Sequence, residues 1–221
     1  HLAPFLVVDN TFLGPMFQSP LDLGADLVLY SATKFLSGHS DLIAGAALGK
    51  GHAMSIIKGH RSILGTQMNP FDAWLLSRSM ETLHVRTLEQ QTIARELSIF
   101  IDGRPEAKEV SYPGLSIGDQ RDVYMKNCKG DGSMISFLLE DGESVERFIG
   151  GLSLIKLGVS LGGTESLVQH PWHMTHAGVP SERKIKLGVH EGLVRLSVGI
   201  EDVADLKEDL KNGFDSIRHK S

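Results

Sequence analysis

Short apolar runs separated by polar stretches organise the start of the chain. Phe5-Leu6-Val7-Val8 is continuous and partly β-branched, which predicts a strand buried on both faces and ending at Asp9. Leu27-Val28-Leu29-Tyr30 predicts a second buried strand ending at Ser31, and Leu42 to Leu48 a third, rich in small residues. Between the first two, Ser19 as N-cap and Pro20 at the first helical position predict a short helix toward Gly24. Strand–helix–strand order implies an α/β unit with a mostly parallel sheet over residues 1–68. Asn69-Pro70 reads as a cap followed by proline, and no Pro or Gly then interrupts the chain until about Ile101. Leu75, Leu83, Leu88 and Ile93 supply the apolar stripe of one long connecting helix over 69–102. Beyond it the texture changes. Strand patterns at Met134 to Leu139, Leu154 to Val159 and Leu193 to Val198, with a helix from Asp202 to Ile217, predict a smaller α+β domain over 103–221. Alternation in the last of these strands sets Arg195 and Ser197 on the face opposite Val194, Leu196 and Val198.

Composition narrows the function classes. The 221 residues are 41% apolar and 22% charged, as in globular proteins, and no apolar run approaches a membrane span. A net charge of −5 with both signs scattered leaves no footprint for nucleic acid or an anionic membrane. Cys128 is the only cysteine, so no internal disulfide can form, and a reducing, cytoplasmic setting is expected. The chain opens on His1-Leu2-Ala3-Pro4, neither an initiator methionine nor a signal peptide, and reads as the later part of a longer sequence.

Open α/β sheets bind ligands at the carboxyl ends of their strands. Two such ends carry Asp9 and Ser31-Ala32-Thr33-Lys34. A lysine amine forms a Schiff base with an aldehyde when its surroundings favour the free amine. An aspartate beside a pyridine nitrogen keeps the ring an electron sink, and short-loop hydroxyls donate to phosphate. Together these roles describe a pyridoxal 5'-phosphate (PLP) site. Taken singly, each residue is more often a surface lysine, a turn aspartate or a helix cap.

Two other patterns compete. Gly158-Val159-Ser160-Leu161-Gly162 fits the nucleophile elbow of serine hydrolases, which would need a later acid and base such as Asp205 and His219. His170, His173 and His176 suggest a metal site, but Pro171 disturbs the run and helical positions six apart diverge. Structural histidines, with no metal, are the expectation.

The stretches Val7 to Phe12, Leu23 to Val28 and Ser31-Ala32-Thr33-Lys34-Phe35-Leu36-Ser37-Gly38-His39-Ser40-Asp41 resemble the PLP-binding signature of the Cys/Met-metabolism (trans-sulfuration) enzymes. The likeness continues through Tyr112 to Leu115, Val159 to Leu167, Gln169-His170-Pro171, Met174-Thr175-His176 and Gly192 to Asp202. It implies the C-terminal part of a fold-type I, aspartate aminotransferase-like enzyme, in which residues 1–68 are the C-terminal part of the large PLP-binding domain. It also implies that Lys34 is the cofactor lysine and proton carrier, Asp9 the partner of the pyridine nitrogen, and Ser31 and Thr33 phosphate ligands. Arg195 matches the arginine that pairs with the substrate carboxylate, while Ser160 and Thr175 match residues of the same pocket. Glu165 to Pro171 with Glu191 to Arg195 looks most like methionine γ-lyases, although Trp172 and His173 replace the small residues usual there. The resemblance therefore implies γ-elimination on a sulfur amino acid in a homotetramer, a dimer of dimers. Cystathionine γ-lyase or a γ-replacement enzyme (cystathionine γ-synthase, homoserine-ester sulfhydrylase) is the alternative. The family's N-terminal part, with its phosphate loop and ring-stacking tyrosine, has no counterpart here. If these residues are the whole polypeptide, an inactive fragment or assembly domain is the remaining reading.

Overall fold

A computed structural model describes residues 4–218. Its first sheet has the order β1 (Val7–Asp9), β2 (Leu27–Ser31), β3 (Gly45–Gly49). β1 runs parallel to β2, so Asp9 pairs with Leu29 and the two strands end side by side. β3 returns antiparallel, with Ser31 opposite Gly45. The expected mostly parallel sheet is thus mixed at this edge. The link from Ala32 to Ala44 forms no crossover helix; it turns at the carboxyl end of β2 and comes straight back, which only an antiparallel partner permits.

One face of this sheet buries Val28, Tyr30 and, in the following turn, Ala32 against Met16, Leu36, Leu76 and Leu83. Burial on both faces was expected of the first strand and is not found: Phe5, Leu6 and Val7 are exposed, because β1 is an edge strand that no described residue covers. The short helix also differs in place. α1 spans Gly14–Phe17, while Ser19 to Gly24 closes as successive three-residue turns, Asp22 N–H to Ser19 O at 3.0 Å and Leu23 N–H to Pro20 O at 3.1 Å. A wholly surface helix, α2 (Gly51–Leu64), gave no readable stripe and buries no residue.

Asn69 caps the next helix as expected, its side chain accepting from the Asp72 amide at 2.9 Å. The single long helix is in fact two, α3 (Pro70–Met80) and α4 (Leu83–Asp102). The break has a local cause. The Ser79 carbonyl accepts from the Thr82 hydroxyl at 3.2 Å and from Arg86 Nη2 at 3.0 Å, and Thr82 leaves helical geometry. The buried side of α4 comprises Leu83, Arg86, Gln90, Ile93, Leu97 and Ile101, whereas Leu88 of the expected stripe is exposed.

The second sheet is ordered β4 (Lys108–Ser111), β5 (Met134–Leu138), β8 (Leu193–Ser197), β7 (Leu167–Gln169), β6 (Lys156–Leu157). Only the β6–β7 pair is parallel. Helices α5 (Gly118–Asn127), α6 (Gly142–Gly150), α7 (Ser181–Lys186) and α8 (Val203–Arg218) complete this part. Ile135, Phe137, Val194, Leu196 and Val198 face a core closed by α4, α6 and α8. At its centre the Phe137, Phe148 and Phe214 rings meet with centroids 5.6, 5.8 and 4.9 Å apart. α4 thus enters the first cluster with Leu83 and the second with Ile93, Leu97 and Ile101.

Asp209 on α8 ties the entry to β6, accepting from Ser153 N–H at 2.7 Å, Ser153 Oγ at 2.9 Å and Ile155 N–H at 2.8 Å. Desolvation alone would raise its pKa, but these hydrogen bonds outweigh it and hold the carboxyl below the usual range. Asp209→Asn should therefore lower stability by about 1–3 kcal/mol at neutral pH. Because the folded pKa is the depressed one, that contribution is complete above the unfolded value and disappears as pH falls through the folded value. Thermal unfolding of both proteins should show the gap closing below about pH 4; a gap independent of pH would contradict this.

Candidate active site

Parallel pairing of β1 with β2 puts Asp9 and Ser31 at neighbouring strand ends, and Thr11 connects them. The Thr11 hydroxyl donates to Asp9 Oδ1 at 2.6 Å and accepts from the Ser31 amide at 2.8 Å. Thr11 N–H also reaches Asp9 Oδ1 at 3.0 Å, which fixes the carboxylate and leaves Oδ2 without a partner among the described residues. The Ser31 hydroxyl is similarly uncommitted, whereas Thr33 is not. Its hydroxyl donates to Ala44 O at 3.2 Å and accepts from Ala44 N–H at 2.9 Å, pinning the start of the Lys34 turn to β3. A groove of about 840 Å³ follows this face of the sheet under α2, lined by Asp9, Ser31, Gly45, Met54, Lys58 and Arg61 among others.

Lys34 stands in a tight turn whose neighbours Ala32, Phe35, Leu36 and Ser37 are all buried. Its amine meets Ser160 Oγ at 3.1 Å, across 126 positions of sequence. Ser160 begins a loop laid directly on the lysine turn: the Thr164 amide donates to Gly38 O at 2.9 Å, and Gly162 N–H donates to Ser197 Oγ at 2.9 Å. Gly162 has φ of +78°, and a Cβ there would lie 2.7 Å from the Phe35 nitrogen.

Arg195 projects from β8 on the face away from the core, as the alternation implies, between Ser136 of β5 and Gln169 of β7. The guanidinium is half-buried and makes no hydrogen bond or ion pair among the described residues. Burial pulls its pKa below the usual arginine range. Next to it Gln169 is only 1% exposed, and neither polar atom of its amide has a partner among the described residues. Thr175 is apart from these groups: it is exposed, and its hydroxyl lies 3.0 Å from His176 Nδ1. Asp9 with Ser31, Lys34 with Ser160, and Arg195 beside the strand partner of Gly162 are therefore brought into linked positions.

The competing patterns take other shapes. Bends, not a helix, follow Ser160, so the strand–turn–helix of a nucleophile elbow is missing; His219 lies outside the described residues. His170 is buried with its Nε2 2.7 Å from Glu191 O, and desolvation lowers its pKa despite that bond. His173 packs edge-on against it at 4.8 Å. Among the described residues no group of three His, Cys, Asp or Glu is placed to hold a metal ion. Trp172 is buried, its carbonyl accepting from Lys184 Nζ at 2.9 Å under a cation–π contact of 4.4 Å.

Comparison with known proteins decides the family. The family described as Cys/Met metabolism PLP-dependent enzyme matches residues 3–215. The chain belongs to that family. It is 42% identical to a cystathionine γ-lyase of Dictyostelium discoideum over 95% of this chain and 55% of the relative. It is also 42% identical to an L-methionine γ-lyase of Porphyromonas gingivalis, over 98% of this chain and 55% of the relative. A cystathionine γ-synthase structure from Xanthomonas oryzae pv. oryzae, in complex with aminoacrylate and cysteine, superposes with TM-score 0.91 and 42% identity, covering 96% of this chain and 55% of that one. The chain thus spans about half the length of the curated relatives it matches. Its fold is the expected one, the C-terminal part of a fold-type I PLP enzyme.

Thr11, Arg86, Gln90 and Gln169 were not singled out from sequence. Two of them carried a readable signal: Arg86 and Gln90 fall in register with Leu83, Ile93 and Leu97, polar residues on an apolar stripe. Gly162→Ala should lift the Ser160 loop off the Phe35 backbone. We expect a stability loss of about 1–3 kcal/mol in thermal unfolding; an unchanged melting temperature would mean the loop does not sit this closely.

Proposed function

We propose that the protein is a PLP-dependent enzyme carrying out γ-elimination on a sulfur amino acid, methionine γ-lyase-like, and that this chain is its lysine-bearing C-terminal part. The observation that carries the reading is the Lys34 amine at 3.1 Å from Ser160, linked through the Gly162 loop to the strand of an unpaired, half-buried Arg195. The donor set fits the cofactor: a free carboxylate oxygen on Asp9, an uncommitted hydroxyl on Ser31 and a primary amine at Lys34.

Asp9 would hold the pyridine nitrogen and Lys34 the aldehyde carbon. Ser31 would donate to the phosphate, joined by Thr33 once its proton leaves the Ala44 carbonyl. Bound PLP supplies the electron sink that makes protons on Cα and Cβ of the substrate removable. Arg195 pairs with the substrate α-carboxylate in a two-pronged contact that lysine reproduces poorly. The Lys34 amine would take the Cα proton of the substrate and carry it onward. Ser160 would orient the lysine amine during this transfer; a substrate-binding role for Thr175 rests on the family resemblance alone. For methionine the overall balance is substrate plus water giving 2-oxobutanoate, ammonia and methanethiol.

γ-Replacement is the second reading, favoured by the cystathionine γ-synthase whose structure superposes with the same TM-score, 0.91, as the cystathionine γ-lyase of Lactobacillus plantarum. It would share every step up to departure of the γ-substituent. Residues 1–68 would then be the end of the large cofactor domain, 69–102 the helical connection and 103–221 the small domain. The family resemblance also supports a cytoplasmic homotetramer, a dimer of dimers. Among the described residues no helix is long and apolar enough to cross a membrane.

The test uses the full-length PLP-loaded enzyme with L-methionine and L-cystathionine, and with a homoserine ester plus cysteine. We expect 2-oxobutanoate and thiol from methionine, a tetramer in sedimentation, and for Arg195→Lys a loss of about 10²-fold in kcat/KM. Product only from the ester plus cysteine would favour replacement. No turnover of any of them, or a fully active Arg195→Lys variant, would contradict the assignment.

A further inference from the structure

Arg86 and Gln90 are one helical turn apart on α4, so their side chains leave the same face with Cβ atoms roughly 6 Å apart. Both are buried. Arg86 has no carboxylate partner among the described residues. Its Nη1 donates to Phe35 O at 3.2 Å, its Nη2 to Leu36 O at 3.4 Å and Ser79 O at 3.0 Å, and its Nε to Thr82 Oγ1 at 3.1 Å. Every one of those acceptors is neutral, and two are the carbonyls directly after Lys34. Gly38 covers the guanidinium so closely that a Cβ would fall 1.9 Å from Nη1, at φ of +68°. One turn further, Gln90 Nε2 donates to Gly163 O at 2.6 Å, while its Oε1 has no partner among the described residues. Gly163 follows Ser160 by three residues. The two loops also touch each other directly, through Thr164 N–H to Gly38 O, Lys34 to Ser160, Ser40 Oγ to Glu165 and the close approach of Gly162 to Phe35.

We propose that Arg86 and Gln90 act as a single positioning device, holding the Lys34 turn and the Ser160 loop on one rigid helix and thereby setting the distance between the lysine amine and the serine hydroxyl. Loops are the mobile parts of a fold, while proton transfer at a carbon demands geometry held to about 0.5 Å. α4 provides that rigidity because its ends are anchored in two separate cores. Burying a guanidinium against carbonyls alone is unfavourable beside an ion pair or an apolar residue. An apolar side chain at Arg86 could not gather three carbonyls from two segments. These are positioning residues: their hydrogen bonds go to the protein's own carbonyls and to Thr82, and they would act through the two loops.

The inference rests on the PLP reading above. Its test uses the full-length enzyme with Gln90→Met, which keeps the volume and removes the donor, beside Arg86→Lys and Arg86→Met. Activity is expressed per bound PLP, so that unfolded protein does not count, and the visible spectrum is titrated with pH. The expected result for Gln90→Met is a 10- to 100-fold fall in kcat, as about 1 Å of misplacement gives. KM should change less than about threefold, since Arg195 is held by β8. The pH midpoint of the visible band should also move. Arg86→Lys should recover part of the loss seen in Arg86→Met. A Gln90→Met enzyme with lowered melting temperature but wild-type kcat per site and pH midpoint would overturn the proposal, leaving both residues merely structural. If the wild-type protein itself takes up no PLP, the functional reading fails and takes this inference with it.

Discussion

A lysine on a short turn becomes a reagent only if something fixes where its amine points, and here that constraint shapes much of the chain. The turn after β2 is squeezed between α4 on one side and the Ser160 loop on the other. Phe35 and Leu36 are buried, and their carbonyls are held by Arg86. The Ser160 loop is in turn tied to α4 by Gln90, to β8 by Ser197, and to the following segment by Glu201, which accepts from Ser166 N–H at 2.6 Å and Ser166 Oγ at 2.8 Å. The second sheet and its phenylalanine core support this loop from below, and α4 crosses between the two cores. The strand ends of the first sheet are thus linked to the strand of Arg195 twice, by the direct contact between the two loops and through α4.

The two buried or half-buried arginines show how differently the same group can be used. Arg86 spends its donors on backbone carbonyls and breaks a helix by capturing the Ser79 carbonyl. Arg195 has its donors free, desolvated by the strands around it and flanked by an amide with no partner. Free donors in a partly dry setting are what an incoming carboxylate needs, because desolvation strengthens the pairing once the anion arrives. The proposed recognition role of Arg195 rests on this contrast in partners more than on burial.

Much of this was legible in the sequence, and the failures have physical causes. Strands β2, β5 and β8 carry apolar patterns that report burial directly, and the Asn69-Pro70 start reports itself through cap chemistry. Asp9, Ser31 and Lys34 could be placed at strand ends because parallel pairing aligns those ends. β1 misled because an apolar run predicts burial, whereas Phe5, Leu6 and Val7 lie on an edge strand and are exposed. α2 was invisible because a helix with no buried residue has no stripe to read. The 126-position contact between Lys34 and Ser160 belongs to tertiary packing, which no local pattern encodes; family resemblance alone suggested it. Thr33 shows the opposite limit. A hydroxyl in the right motif was assigned to phosphate, while its proton is engaged by the Ala44 carbonyl.

The central claim is that Lys34 is the residue that takes the cofactor. The most direct measurement is to incubate the full-length protein with PLP, reduce it with borohydride, digest it and locate the modified lysine by mass spectrometry. A single pyridoxyl group on the peptide containing Lys34, absent in Lys34→Ala, is the result this account predicts. A modified lysine elsewhere, or no modification in a protein that is folded and complete, would contradict it.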